Sequence, residues 1–255
     1  MNTVLDTVHS LRSVHGRFCD RRVPEATVRT IVDASVRAAN ASARQSYSII
    51  VLDDHERMQT LIGYRASHAL IFCVDFHRLT LLAERLGCSF DENNIIGFVT
   101  ASIDTSLAAQ TAVIAARSLG IDSLITNGLH RNPPDLVHRE LKLPATSVFP
   151  LITVLLGYPL DDDQPPRGRL KTEHVTHQGT YREPDDAELD QIITAYDDPA
   201  GGLGLGLGQW DPQQFEHYLT WFFQQWCSSA SPENTERVRA FQKYLTDTGF
   251  WWPEQ

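Results

Sequence analysis

The stretch GFVTASIDTSLAAQTAVIAARSLG, residues 97–120, decides how the rest of the chain is read. It is apolar at helical spacing, contains no proline, and stops at Gly120, the residue type that closes a helix by taking a left-handed conformation. Its apolar positions are mostly small: Ala101, Ala108, Ala109, Ala112, Ala115 and Ala116. Small side chains let another backbone approach closely, which suggests a central helix packed on several sides. Alanine is also simply a strong helix former, and both readings stand at this point.

Outward from that helix, short apolar runs alternate with helical patterns. Tyr47–Leu52 and Leu70–Phe76 are β-branched or aromatic runs bounded by aspartates, as expected of buried strands, with a short helix His55–Ile62 between them. Segment 24–39 opens on Pro24 and spaces Val28, Ile31, Val32, Ser35 and Ala39 as an amphipathic helix. Beyond Gly120, Asp122–Asn127 reads as a strand running into Gly128, and Pro133–Leu141 as a small helix. Phe149–Leu156 is a near-continuous apolar run, predicting a strand buried on both faces that stops at Gly157-Tyr158-Pro159. Asp161–Arg169 is polar and proline-rich, an extended arm, and helices follow near 185–197, 212–226 and 233–248. Interspersed strands and helices place the fold in the α+β or α/β class. Gly201–Gly208 lacks a phosphate-loop spacing and reads as a linker, dividing a core of residues 1–200 from a C-terminal helical extension, 201–255.

Composition narrows the function classes. With 42% hydrophobic and 21% charged residues, the 255-residue chain can bury a sizeable core. The formal net charge of −10 disfavours a nucleic-acid partner, because phosphate backbones are held by clustered Lys and Arg. The longest uninterrupted apolar runs fall short of the roughly 20 residues of a membrane span, and no leader pattern precedes them, so no membrane partner is expected. Cys19, Cys73, Cys88 and Cys227 are scattered without a CxxC pair, which fits a reduced, cytoplasmic setting and argues against a structural zinc. His174 and His177 have a spacing some metal sites use but lack acidic or thiol partners, so no metal is expected.

Against that acidic background the N-terminal segment Arg12-Ser13-Val14-His15-Gly16-Arg17-Phe18, followed by Arg21 and Arg22, stands out. Guanidinium groups with a nearby hydroxyl can take a phosphate monoester through charge-assisted, bidentate hydrogen bonds. A solvated run of surface charge is the rival reading if the cluster stands alone.

It does not stand alone. The cluster, the helix after Val23-Pro24, the stretch Ala38-Ala39-Asn40-Ala41-Ser42-Ala43-Arg44-Gln45 and the helix with its Leu-Ala-Ala-Gln core occur in the order found in nitroreductases. Thr126-Asn127-Gly128-Leu129, Leu143-Pro144, Leu156-Gly157-Tyr158-Pro159 and Arg167-Gly168-Arg169-Leu170 continue the series. The chain thus resembles the nitroreductase superfamily, and within it the oxygen-insensitive NADPH-preferring enzymes and flavin reductases with C-terminal helical excursions.

The resemblance implies a nitroreductase-like α+β fold: a central, mainly antiparallel sheet surrounded by helices, dimeric, with FMN sites at the subunit interface. Carried over position by position, it implies that Arg12 and Ser13 hold the FMN phosphate, joined by Arg169 and Arg167, with His15 or Arg17 as a third contact and Arg17 preferred on charge. It implies that Asn40, Ala41, Ser42 and Gln45 meet the flavin or its ribityl chain from the other subunit, and that Thr126, Asn127, Gly128 and Leu129 line another edge. A glycine at 128 would let backbone amides approach the ring. Activity would be hydride transfer from NAD(P)H and onward reduction of a small-molecule acceptor (nitroaromatic, quinone or free flavin) by a ping-pong route. The flavin carries that chemistry, so no catalytic side chain is required. The alternatives in view are a specialised biosynthetic FMN oxidoreductase of the same fold and a catalytically degenerate flavin-binding relative.

The chain also departs from the family pattern. The phosphate segment carries one residue more than Arg-Ser-x-Arg-x-Phe, Ala43 stands where many members place an amide, and the loop between Leu61 and Ala69 is short and lacks Gly-Gly-Gln.

Overall fold

A computed structural model describes residues 2–161, 167–204, 210–227 and 232–251, with the backbone alone for 232–234. The chain forms two compact units, Met1–Gln164 together with Val238–Gln255, and Pro165–Arg237. In chain order the elements are α1 (Thr3–His9), α2 (Glu25–Ser35), β1 (Tyr47–Leu52), α3 (His55–Ile62), β2 (His68–Asp75), α4 (His77–Arg85), α5 (Ile95–Ser118) and β3 (Asp122–Thr126). There follow α6 (Pro134–Leu141), β4 (Val148–Gly157), α7 (Asp186–Asp197), α8 (Tyr218–Gln225) and α9 (Pro232–Asp247).

The first unit is built on one sheet of order β1-β2-β4-β3, antiparallel throughout, with Tyr47 opposite Val74, Leu70 opposite Val154 and Leu124 opposite Leu155. All eight residues of β2 are buried, so its period of two sends side chains to two covered faces. Leu70 and Phe72 point to the face packed by α2 and α5, with Ile31, Ala108 and Ala112. Ala69, Ile71 and Cys73 point to the face packed by α3 and α6, with Met58, Leu61 and Val137. Each fully buried large side chain, Phe72 for example, contributes ~1.5–3 kcal/mol. A third cluster at the sheet's end gathers Phe76, Phe149, Tyr244, Leu245 and Phe250, so the C-terminal part of α9 completes the first unit's core.

Local sequence sets the boundaries. Asp54 caps α3 by accepting from the Glu56 and Arg57 amides, and Gly63, at φ 81°, closes it. Asn94 caps α5 by accepting from Gly97, and Gly120, at φ 74°, lies past its end as the sequence predicts. Helix 24–39 is shorter than its periodicity suggests and ends at Ser35, whose hydroxyl bonds back to the Val32 carbonyl. The helices α1 and α4, which carry no fully buried residue, are not foreseen by the sequence reading.

α5 is the one helix among the described residues long and apolar enough to cross a membrane by length and composition. Here it is a core helix. Ala101, Asp104, Ala108, Ala112 and Ala116 are buried within the unit. Its opposite side exposes Ile96, Val99, Ile103 and Leu107, at 77, 51, 56 and 43%.

The second unit contains α7 and α8. The expected 212–226 helix is confined to Tyr218–Gln225, because Asp211 and Pro212 open a turn instead. Tyr196, Tyr218, Phe222 and Trp226 stack in succession with centroids 5.9, 6.1 and 6.3 Å apart. His217 Nδ1 bonds to Asp197 Oδ2 at 2.7 Å at the junction of the two helices. Part of the Gly201–Gly208 linker, residues 205–208, lies outside the described residues, as does Trp252.

Candidate functional site

The N-terminal cluster is laid against β3. Ser13 forms a parallel bridge with Ser123, and the Val14 amide donates to the Ser123 carbonyl at 3.0 Å. Val14 is buried between exposed Ser13 and His15, so the alternation of an extended segment puts those two side chains on one outward face. Arg12 turns inward: its Nε and Nη2 donate to Asp122 Oδ1 and Oδ2 at 3.0 and 2.8 Å. Arg117 Nη1 reaches the same Oδ1 at 2.9 Å and its Nε donates to Ser10 Oγ at 3.0 Å. One carboxylate shared by two guanidiniums leaves this cluster with one net positive charge beside Ser13, in a protein that is acidic overall.

The segment kinks at Gly16. Its φ of 71° is left-handed, and a Cβ there would lie 2.8 Å from the Tyr64 ring, so only glycine fits. Past that kink, Arg17 forms an ion pair with Asp161. The ring of Phe18 lies on Gly157, where a Cβ would come within 2.7 Å of Phe18 Cδ1, and Arg21 stacks over Tyr158 at 3.8 Å. The Gly157-Tyr158 pair in the sequence therefore serves the packing of Phe18 and Arg21.

The segment Asn40–Gln45 is a strained loop. Ser42, Ala43 and Gln45 have φ of 53, 54 and 49°, a left-handed run that non-glycine residues enter at a cost of ~1–3 kcal/mol each. Three contacts hold it. Asp104 Oδ1, buried on α5, accepts from the Ala41 amide at 2.9 Å, and Asn40 Oδ1 accepts from the Gln45 amide at 3.0 Å. Arg78 donates to the Gln45 carbonyl. Asp104 Oδ2 and Arg44 Nε are buried with no hydrogen-bond partner, so this loop carries polar atoms that the chain itself leaves unsatisfied.

At the end of β3, Gly128–Arg131 form a 3-10 turn. The Gly128 amide donates to Thr126 Oγ1 at 3.1 Å, and a Cβ on Gly128 would lie 2.3 Å from the Ile62 carbonyl oxygen. That glycine is dictated by the close passage of α3. Leu129 points into the core beside Leu61, so only its backbone is available to a ligand. An apolar groove of 660 Å3 lies between α5 and the sheet, with Phe98, Val99, Ser102, Ile103, Leu107 and Gln110 on the helix side and Ile125 and Ile152 on the sheet side.

Arg167 and Arg169 belong to the second unit. Arg167 Nη1 donates to the Gly204 carbonyl at 3.0 Å, and Arg169 Nη1 to the carbonyls of Arg167 and Gly168 at 3.2 and 2.8 Å. His174 is bonded to Glu188, which also pairs with Arg182. No group of three or more metal-ligating side chains occurs among the described residues. Sequence reasoning missed Asp104, Asp122 and Arg117. The signal for the first was present, a carboxylate within an otherwise apolar helix.

No family model matches the chain. Curated relatives do. It is 33% identical over 193 residues to the FMN reductase (NADPH) of Bacillus subtilis strain 168, covering 71% of this chain and 75% of that one. It is 30% identical over 208 residues to the FMN reductase [NAD(P)H] of the same organism, covering 78 and 81%. The solved structure of Bacillus megaterium NfrA2 superposes with a TM-score of 0.82 over the full length of both chains at 22% identity. The sheet, its flanking helices and the C-terminal helices define the nitroreductase fold. The chain belongs to the nitroreductase superfamily.

Proposed function

We propose that this chain oxidises NAD(P)H with bound FMN and reduces a nitroaromatic, a quinone or free flavin in a second half-reaction at the same place, working as a homodimer in the cytoplasm. The observation that carries this reading is the arrangement around α5: one helix anchors the strained loop through Asp104 and walls the apolar groove.

The residues fit FMN by donor chemistry. A planar apolar ring system suits the groove walled by Phe98, Ile125 and Ile152, and the unsatisfied Arg44 Nε and Ser102 Oγ are polar groups of the kind a flavin edge would meet. The net positive cluster of Arg12, Arg117 and Asp122, with Ser13 and His15 on the outward face, suits a phosphate. His15 or Arg17, the latter paired with Asp161, takes the third phosphate contact in this reading. Arg167 and Arg169 join it from the arm. Asn40, Ala41, Ser42 and Gln45 face the site of the second copy, and Thr126, Asn127, Gly128 and Leu129 offer backbone to the ring edge.

When bound, FMN supplies a ring that accepts a hydride from reduced nicotinamide and returns two electrons to an oxidant. The chain's part is to bind, orient and exclude water. The groove's walls desolvate the reacting face, Asp104 fixes the loop beside it, and the cationic cluster favours an anionic ligand electrostatically. FMN contacts lie within residues 1–200, with 201–255 as a C-terminal helical extension.

The surface of α5 supports the homodimer reading. A helix apolar all round is covered all round, and within one chain the stripe Ile96, Val99, Ile103 and Leu107 stays open. A second copy covers it together with the groove, which Val99, Ile103 and Leu107 also line, so that the flavin lies at the subunit interface in this reading.

The test is an absorbance spectrum of the purified protein with FMN, then anaerobic NADH and separately NADPH. Bleaching of a bound flavin band supports the reading, and its rate with each nucleotide gives the donor preference. Failure to retain FMN sinks it.

A further inference from the structure

On the sheet face away from α5, a cavity of 460 Å3 opens between α4 and the residues that follow α6. Ile50 and Val148 on the strands form its floor, and Leu81 on α4 and Leu143 form its walls. Three cations, Arg78, Arg85 and Lys142, stand around it against one carboxylate, Asp75, whose oxygens accept from Ser48 Oγ and the Arg78 amide. Arg78 is committed to the Gln45 and Tyr47 carbonyls. Arg85 and Lys142 are different. Among the described residues neither side chain has an ionic or hydrogen-bonding partner, although the protein as a whole carries ten more negative than positive charges. Lys142 also holds a left-handed backbone, φ 52°, at the C-cap of α6, a position where glycine is the ordinary choice.

An apolar pocket rimmed by two uncommitted cations is complementary to one kind of molecule: an aliphatic body ending in a single anionic head. A free phosphate would leave the apolar floor uncovered, and a neutral lipid would forgo the charge-assisted pairing with the cations. We infer that this cavity binds an amphipathic aliphatic carboxylate, its chain on Ile50, Val148 and Leu143 and its carboxylate between Arg85 and Lys142. The inference concerns a site separate from the groove along α5 and stands independently of the flavin reading.

Octanoate is the probe. Calorimetric titration into the full-length purified protein is expected to give one saturable site per chain. Uncharged 1-octanol should bind at least tenfold more weakly, since it keeps the tail and loses the charged pairing. The Arg85→Ala/Lys142→Ala variant should lose at least tenfold in octanoate affinity. Both side chains are on the surface, and Leu81→Glu, at a half-exposed wall position, gives a second test by placing a repelling carboxylate in the pocket. Absence of saturable binding, octanol binding as tightly as octanoate, or unchanged octanoate affinity in either variant overturns the assignment. Flavin retention, measured on the same preparations, reads the other site and is expected to be unaffected.

Discussion

Asp104 Oδ1 accepts the Ala41 amide at 2.9 Å across 63 positions of sequence, and ties the central helix to a loop whose backbone is left-handed at three non-glycine residues. Strain of that kind persists only where surrounding structure over-determines it. Asp104→Ala removes the anchor. We expect a stability loss of ~1–3 kcal/mol by urea unfolding, together with weaker FMN retention. Asp104→Asn keeps an acceptor and should recover most of both. Equal loss in the two variants would show that the charge, not the loop contact, is what matters.

Asp122 pairs with two guanidiniums from inside the molecule. Removing it by Asp122→Ala takes the shared carboxylate away from two largely buried guanidiniums, which should cost ~3–5 kcal/mol. The Arg12→Ala/Arg169→Ala variant tests the proposed phosphate contacts. It should weaken FMN binding by ~1.5–3 kcal/mol per charged hydrogen bond lost, read by fluorescence titration. An unchanged flavin affinity would remove the phosphate assignment.

Two glycines should respond in graded fashion. At Gly128 an added methyl meets the Ile62 carbonyl oxygen at 2.3 Å, so Gly128→Ala forces α3 and the turn apart and is expected to cost ~1–3 kcal/mol or more. At Gly120 nothing lies within 4 Å, and Gly120→Ala meets only the penalty of φ 74°, ~1 kcal/mol. Thermal unfolding of the pair separates steric from conformational cost.

Burial lowers the pKa of both His130 and His138 below the ordinary histidine value, with His138 bonded to Tyr244 and His130 to the Pro150 carbonyl. Their folded pKa is depressed, so below about pH 6.5 the unfolded chain takes up protons that the folded chain resists. Stability contributed by neutral His130 and His138 is therefore present above pH 6.5 and falls as pH drops through that value. His217, raised by Asp197, acts in the opposite sense, favouring the folded state at low pH. Urea midpoints at pH 8 and pH 5.5 should show the net decline, and His130→Gln/His138→Gln should flatten it.

Ile103→Glu places a charge in the middle of the open α5 stripe without touching the unit's own core. Sedimentation should show the wild-type chain as a dimer and this variant as a monomer; a wild-type monomer would end the proposal of a shared site.

The sequence made β1, α3, β3, β4 and α5 readable within a few residues, because their apolar periodicity and caps point the same way. Helices α1 and α4 escaped although α4 has an amphipathic pattern and packs Leu79 against the core, because both are short and lie beside segments whose strand or motif signal is stronger. The site was legible as positions rather than as relationships. Arg12 and Ser13 were visible, but not that Arg12 leans on Asp122, 110 residues away. Gly128 was visible too, yet the physical reason for it is the passage of Ile62. Such pairings are created by tertiary contact, and neither local propensity nor motif order contains them.

One feature of the core also sets the order in which it can be finished. Phe241, Tyr244, Leu245 and Phe250 close the cluster around Phe76 and Phe149, and the Ser147 amide donates to the Thr248 carbonyl at 2.9 Å. During vectorial synthesis the sheet emerges long before these residues do. For the time needed to translate some ninety intervening codons, a duration set by ~5–20 residues per second, the nascent sheet keeps one greasy end uncapped. Trigger for final closure is thus the appearance of α9, and ribosome pausing upstream of it would prolong the interval in which a chaperone has something to hold.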